Sequence, residues 1–266
     1  MVSFGIVGVG NMGEAIVGGL LEIGVKKENI LFKEISDKRK EYVKEKYGIR
    51  ECLSAEELLR HAKYILIAVK PFDAKGVFED FLPYIKESHV IISVMAGVSI
   101  SKILSYLGGS GKVIRVMPNL GVKVKEGVIG ITRNDSVSFE EFEFVKGVFS
   151  GLGVVLEIKE DLFDALTAYS GSGPAFFLLF LEAMIDAGVK IGFTRNDAIM
   201  ISEKVIEGTL RLMRTERVHP TILRERISSP AGTTIAGLFE LEDRAFKASI
   251  VRAFEASFRR ARELCA

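Results

Sequence analysis

At 266 residues the chain is long enough for one large domain or two ordinary ones. Hydrophobic residues make up 48 % and charged residues 27 %, a globular balance that excludes a disordered chain, and a formal net charge of +1 gives no general electrostatic hold on nucleic acid or an anionic membrane. Cys52 and Cys265 lie far apart, and His61, His89 and His219 are equally scattered, so no metal centre is expected.

Met1-Val2-Ser3-Phe4 run straight into a strand pattern with no basic, apolar leader, so secretion is not expected. Strand patterns follow in chain order at Val2–Val7, Ile30–Lys33, Tyr64–Val69, Val90–Met95, Val113–Met117, Val128–Thr132 and Val154–Glu157. Several are continuously apolar, as strands covered on both faces of a parallel sheet must be. Glu14–Glu22, Lys38–Lys46 and Ala55–His61 carry helix formers between them, and this alternation predicts a doubly wound α/β sheet. After Lys159 the strand signal ends. Helices are predicted at Glu160–Ala168, Pro174–Ala187, Arg195–Arg214, Pro220–Ile227, Thr234–Glu242 and Asp243–Leu264. Thr194 reads as an N-cap, Pro174 and Pro220 as first-turn residues and Gly188 as a helix stop, while Ser170–Gly173 and Ser228–Gly232 interrupt the helical half. The expected division is 1–158 for a dinucleotide-binding domain and 159–266 for an all-helical domain. The longest apolar stretch, Pro174–Leu181, ends at Glu182 and is too short to span a bilayer, so a cytoplasmic protein is expected. The chain has no Gln beside many Lys and Glu, a composition that leans toward a hot-living source.

Gly8-Val9-Gly10-Asn11-Met12-Gly13 follows the first strand and opens the first helix. In this setting the first glycine permits a tight turn, the second lets a pyrophosphate approach the backbone, and the third allows close packing, with the helix N-terminus facing the phosphates. The alternative is a merely structural turn. Glu34 ends the second strand about 20 residues on, where an acid grips a ribose 2′-hydroxyl and favours NADH. Ser36, Lys38 and Arg39 follow at once, either to receive the 2′-phosphate of NADPH or as ordinary solvated loop charges. The cofactor is therefore read as NAD(P)H, its phosphorylation state open. Ligands of open α/β sheets sit at the carboxyl ends of strands, and three such ends carry unusual residues: Ala68-Val69-Lys70-Pro71, Ser93-Val94-Met95-Ala96-Gly97 and Arg115-Val116-Met117-Pro118-Asn119. Each taken singly is also an ordinary strand terminator. Ala68, Val69, Lys70, Pro71, Ala96, Gly97 and Asn119 join the fingerprint and Glu34 as candidate cofactor contacts, Lys70 the weaker one.

Val113–Asn119 (VIRVMPN), Thr167–Phe176 (TAYSGSGPAF) and Ser228–Leu238 (SSPAGTTIAGL) closely resemble the signature blocks of pyrroline-5-carboxylate reductase. The resemblance runs from the fingerprint to the carboxyl terminus, with two departures. Leu120-Gly121 stands where the family usually has Thr-Pro, and Ala231 where it usually has Gly. The resemblance implies a Rossmann-type sheet domain followed by an all-α dimerisation domain, in a homodimer or larger homo-oligomer. It also implies hydride delivery to the imine carbon of 1-pyrroline-5-carboxylate, with the substrate carboxylate held by the Ser-Pro-x-Gly-x-Thr loop. Ser229, Gly232, Thr233 and Thr234 fit that task, because free N–H groups at a helix start favour an anion and hydroxyls add donors. They also fit ordinary helix capping. Thr234 is the candidate to hydrogen-bond the ring nitrogen and relay a proton. A β-hydroxyacid dehydrogenase of similar plan would need a lysine on the helix after Gly173, and Pro174–Ala187 has none. A nucleotide-binding regulator without turnover would have no use for an intact substrate loop.

Overall fold

The computed structural model describes residues 3–265; the expected strand start at Val2 lies outside them. The strands are β1 (Phe4–Val7), β2 (Ile30–Lys33), β3 (Arg50–Glu51), β4 (Tyr64–Ile67), β5 (Val90–Ser93), β6 (Lys112–Pro118), β7 (Gly127–Arg133) and β8 (Gly153–Glu157). They form one sheet in the order β3-β2-β1-β4-β5-β6-β7-β8. β1 to β6 are mutually parallel, so their carboxyl ends share one edge. β7 runs antiparallel to β6, because the tight turn at Leu120–Val124 leaves no room for the crossover that a parallel neighbour needs. The crossovers elsewhere carry α1 (Asn11–Glu22), α2 (Asp37–Tyr47), α3 (Ala55–His61), α4 (Ala74–Phe81), α5 (Ile100–Tyr106) and α6 (Phe139–Ser150). β3 was not legible in the sequence; two polar residues give no period.

The strands β1, β2, β4, β5 and β6 read as largely apolar runs because each feeds two cores. Ile6, Phe32, Leu66, Ile92 and Ile114 enter one cluster. Val7, Leu31, Ile65, Ile91 and Val113, their neighbours of opposite pleat, enter the other. Both faces are thus covered and every polar function must leave the sheet at its ends.

Packing divides the chain after Gly171, with residues 258–265 also grouped with the sheet unit. The reason lies in the residues that follow β8. Phe163 is fully buried under the Arg115 guanidinium, 4.6 Å from its ring centre, and Glu160 pairs with Arg115 at 2.9 Å. Leu166 in α7 (Phe163–Leu166) fills the space that the missing side chain of Gly130 leaves open. Asn119 donates to the carbonyl of Ser170 at 3.0 Å. These contacts hold the segment against β6 and β7.

Thr167–Gly171 is a π-helical turn, so the expected interruption at Ser170–Gly173 is a local widening of a helical path. The second unit, Ser172–Ser257, holds α8 (Gly173–Lys190), α9 (Arg195–Glu216), α10 (Pro220–Ile227), α11 (Thr233–Asp243) and the first part of α12 (Phe246–Cys265). Thr194 caps α9 through the Asp197 N–H, as its spacing predicts. Gly188 does not end α8; a side chain there would come within 2.9 Å of the Ala198 Cβ, so its role is to let α8 and α9 approach. No residue of α8 is buried, and Phe177, Leu178, Leu179 and Phe180 all remain exposed. The helical stretch 160–190 is, by length and composition alone, apolar enough to cross a membrane. Ring contacts of Phe176 with Phe254 (5.1 Å) and Phe180 with Phe246 (5.9 Å) tie α8 to α12, but they do not cover its outer face.

Candidate active site

The strand order reverses direction of growth between β1 and β4, and the fingerprint loop leaves β1 there. Gly8 has φ +84° and donates its N–H to Lys33 at 2.9 Å. A side chain on it would meet the Ala68 carbonyl and the Val69 side chain, both at 2.9 Å, so the β1 and β4 ends touch through this glycine. At Gly13 an added Cβ would fall 2.1 Å from the Gly8 carbonyl oxygen, so the third glycine closes the turn onto itself. Around Gly10 a Cβ would meet no protein atom within 4 Å. That open space faces a helix start whose N-cap, Gly10, supplies no side chain, leaving the N–H groups of Asn11, Met12 and Gly13 without intrahelical partners. A cradle of free donors with room above it fits a dinucleotide pyrophosphate.

Glu34 stands at the end of β2, half-buried, and its carboxylate accepts from the N–H groups of Val9 (2.8 Å), Ile35 (2.8 Å) and Ser36 (3.0 Å). A carboxylate has about four acceptor positions, so one remains for a ribose hydroxyl. Arg39 is not a solvated loop charge. It donates to the Val9 carbonyl through Nε (3.0 Å) and Nη2, and to Glu14 at 2.7 Å. Glu14, buried in the first turn of α1, also accepts from Tyr42 (2.9 Å), Lys46 (2.9 Å) and Tyr47 (3.2 Å). Burial alone would raise its pKa, but the hydrogen bonds from Arg39, Lys46 and Tyr42 outweigh that and bring it down to about 2. Sequence reading missed this cluster. The signal was present in Glu14 itself, an acid among the apolar residues of a helix that faces the core.

Lys70, Pro71 and Ala96 are exposed beyond β4 and β5, and Gly97 turns the chain at φ +77°. Asn119 lies past the end of β6, but its amide is engaged within the chain. It accepts from Gly121 (3.2 Å) and Val128 (3.1 Å) and donates to Ser170, so it fastens the β6–β7 turn to the π-turn. The candidate cofactor residues therefore gather at one sheet edge.

The remaining candidates belong to the helical unit. Gly232 is the N-cap of α11 and Thr233 and Thr234 are its first two residues. The Gly232 N–H donates to Ser229 O at 3.1 Å, and a side chain on Gly232 would strike the Ser229 hydroxyl at 2.3 Å. Ser229, Gly232, Thr233 and Thr234 are thus brought together at one helix start. The hydroxyls of Ser229, Thr233 and Thr234 make no hydrogen bond among the described residues, so none of them is spent as a cap. Unspent donors beside free helix N–H groups suit a carboxylate. Among the described residues no group of His, Cys, Asp or Glu is placed to hold a metal ion.

Comparison with known proteins agrees with this geometry. Residues 160–264 match the family model for pyrroline-5-carboxylate reductase dimerisation, and residues 3–97 match that for coenzyme F420-dependent NADP oxidoreductase. Pyrroline-5-carboxylate reductase of Aquifex aeolicus is 36 % identical over 260 residues, spanning 98 % of this chain and 96 % of that protein. The chain belongs to the pyrroline-5-carboxylate reductase family. Pyrroline-5-carboxylate reductase 2 of Bacillus subtilis is 33 % identical, over 99 % of this chain and 95 % of its own. The Plasmodium falciparum pyrroline carboxylate reductase with NADP bound superposes with a TM-score of 0.91 at 33 % identity, covering 100 % of this chain and 98 % of that one.

Both departures from the usual family blocks have local consequences. Gly121 donates an N–H to Asn119, a bond that proline in its place would not form. Ala231 adopts φ +56°, the left-handed conformation that suits glycine and costs a residue with a Cβ about 1 kcal/mol.

The cradle yields a paired prediction. Gly10→Ala should leave the melting temperature unchanged yet weaken NAD(P)H binding at least tenfold, because the new methyl meets ligand and not protein. Gly13→Ala should lower the melting temperature itself; calorimetry and cofactor titration on the two variants check both. The Glu14 cluster predicts a pH effect. Its carboxyl is depressed from about 4.5 to about 2 on folding, so the stabilisation is complete above pH 4.5 and fades as pH falls toward 2. Glu14→Gln should therefore lower the urea midpoint at pH 7, with a gap that narrows by pH 3.

Proposed function

We propose that this chain reduces 1-pyrroline-5-carboxylate to L-proline with NAD(P)H, the last step of proline biosynthesis. The observation that carries the reading is the α11 entrance, where three unspent hydroxyls and free helix N–H groups are built into a chain that also carries a dinucleotide cradle. Residues 1–158 form the cofactor-binding part, and 159–266 the substrate and dimerisation part, in keeping with the family model that begins at residue 160.

Bound cofactor supplies a hydride for the imine carbon. The chain's own residues do the rest. Gly8, Gly10 and Gly13 shape the turn, while Val9, Asn11 and Met12 complete the backbone that receives the pyrophosphate. Glu34 takes the ribose hydroxyl with its remaining acceptor position. Ala68, Val69, Lys70, Pro71, Ala96, Gly97 and Asn119 line or support the rest of the cofactor edge. Ser229, Gly232 and Thr233 hold the substrate carboxylate, which fixes the ring and converts binding energy into orientation. As hydride reaches carbon, the C=N bond becomes C–N and the nitrogen takes a proton; the Thr234 hydroxyl hydrogen-bonds that nitrogen and relays the proton to it. The protein works in the cytoplasm as a homodimer or larger homo-oligomer, with no nucleic-acid or membrane partner. An α8 with no buried residue supports assembly over a solitary chain.

Thr234→Val keeps the side chain's shape and removes its hydroxyl. Turnover of pyrroline-5-carboxylate, followed by NAD(P)H oxidation, should fall on the order of 10²-fold. Cofactor affinity should hold. The melting temperature should hold too, because the hydroxyl makes no hydrogen bond among the described residues. A lowered melting temperature with normal turnover would reduce Thr234 to a structural residue. For assembly, light scattering at micromolar concentration should give at least twice the chain mass of 29.3 kDa, and Phe180→Asp should yield monomer or insoluble protein.

A further inference from the structure

The peptide planes on either side of Val9 are held from opposite directions. Its N–H donates to Glu34 at 2.8 Å, and its carbonyl accepts from Arg39 Nε at 3.0 Å and from Nη2. The same Nη2 donates to Glu14 at 2.7 Å. Glu14 is in turn fixed by Tyr42 and Lys46, each at 2.9 Å, and the Arg39 guanidinium lies 5.0 Å from the centre of the Tyr42 ring. The loop that must present free N–H groups is therefore clamped from α2, an element outside the fingerprint.

This arrangement constrains what else Arg39 can do. A guanidinium offers five N–H groups, and it grips a phosphate in a fork either through Nε and one terminal nitrogen or through both terminal nitrogens. Here Nε and both hydrogens of Nη2 are already committed. Only Nη1 remains, and it cannot make a fork by itself. The charge is likewise balanced by Glu14, 10 % exposed at its side chain.

We propose that Arg39 and Glu14 are positioning residues for dinucleotide binding, clamping Val9 so that the N–H groups of the Gly10 cradle stay aimed at the pyrophosphate, and that Arg39 takes no part in choosing between NADH and NADPH. The inference rests on the reading of Gly8–Gly13 as the cofactor cradle. A loop released from the clamp samples more conformations, and ordering it on binding weakens both dinucleotides alike.

The test uses Arg39→Met, Arg39→Lys and the isosteric Glu14→Gln, titrated with NADH and with NADPH by calorimetry, beside steady-state kinetics and the melting temperature of each variant without ligand. Both dissociation constants should rise by about tenfold for Arg39→Met, the loss of a charge-assisted hydrogen bond, with their ratio moving less than twofold. KM for the dinucleotide should rise far more than kcat falls. Arg39→Lys should not restore affinity, because a point charge replaces a fork that must serve Val9 and Glu14 together. If Arg39→Met fails to fold, Arg39→Lys and Glu14→Gln carry the same expectation of equal loss for both dinucleotides. A loss confined to NADPH and rescued by Arg39→Lys would make Arg39 a 2′-phosphate ligand and overturn the proposal. Unchanged affinity for both, with only a lower melting temperature, would also overturn it. Failure of the parent protein to bind either dinucleotide would instead remove the cradle reading on which it rests.

Discussion

A parallel sheet covered on both faces leaves its chemistry nowhere to go but the strand ends. Ile6 and Val7 are successive residues that enter opposite cores, and the same alternation repeats across β2, β4, β5 and β6. The apolar side chains in the middle of those strands are taken up by the two cores. The candidate cofactor residues therefore collect beyond the carboxyl ends, at Gly8, Glu34, Ala68, Ala96 and Asn119, and the parallel direction of β1 to β6 puts all these ends on one edge. The location of the cofactor edge follows from the burial of the sheet.

At that edge the proposed recognition rests more on the backbone than on the side chains. Gly8 and Gly13 serve the turn, and only Gly10 borders open space. The charged residues nearby are largely turned inward, toward the loop. Glu34 satisfies three N–H groups, Arg39 and Glu14 satisfy each other and Val9, and Asn119 ties the β6–β7 turn to Ser170. A pyrophosphate site made of N–H groups depends on the loop's holding one shape, since a dipole aimed a few tenths of an ångström away loses much of its value. The supporting bonds provide that constancy.

The helical unit follows a different logic. Its sequence is as apolar as the sheet's, yet α8 buries nothing within the chain and the buried residues of α9 and α10 are Ala198, Ser202 and Leu223 alone. A set of helices with so little enclosed core is poorly stable by itself and gains when its exposed faces are covered. The same composition explains why the helical stretch 160–190 satisfies the length and hydropathy of a membrane span. Apolarity reports that a face must be covered, and does not say by what.

Much of this was written in the sequence. The seven strands it predicted are all found, most of them because buried strands must be largely apolar and need no partner's identity to be recognised. The fingerprint, the signature blocks and the caps at Thr194, Pro174 and Pro220 are local patterns whose cause lies within a few residues, and each stands where its spacing put it. Three features were beyond that reach. Gly188 looked like a helix stop, and only the approach of Ala198 shows that its missing side chain serves packing. The segment after Lys159 carries helix formers, and only the fold shows that Phe163 and Glu160 meet Arg115 on β6. Arg39 could be read as a 2′-phosphate receiver or as one more solvated charge, while its partners Val9 and Glu14 lie 30 and 25 residues earlier. Sequence determines what a residue can bond and how its neighbours along the chain repeat. Which distant group meets it depends on how the elements pack, and that is a property of the folded chain alone.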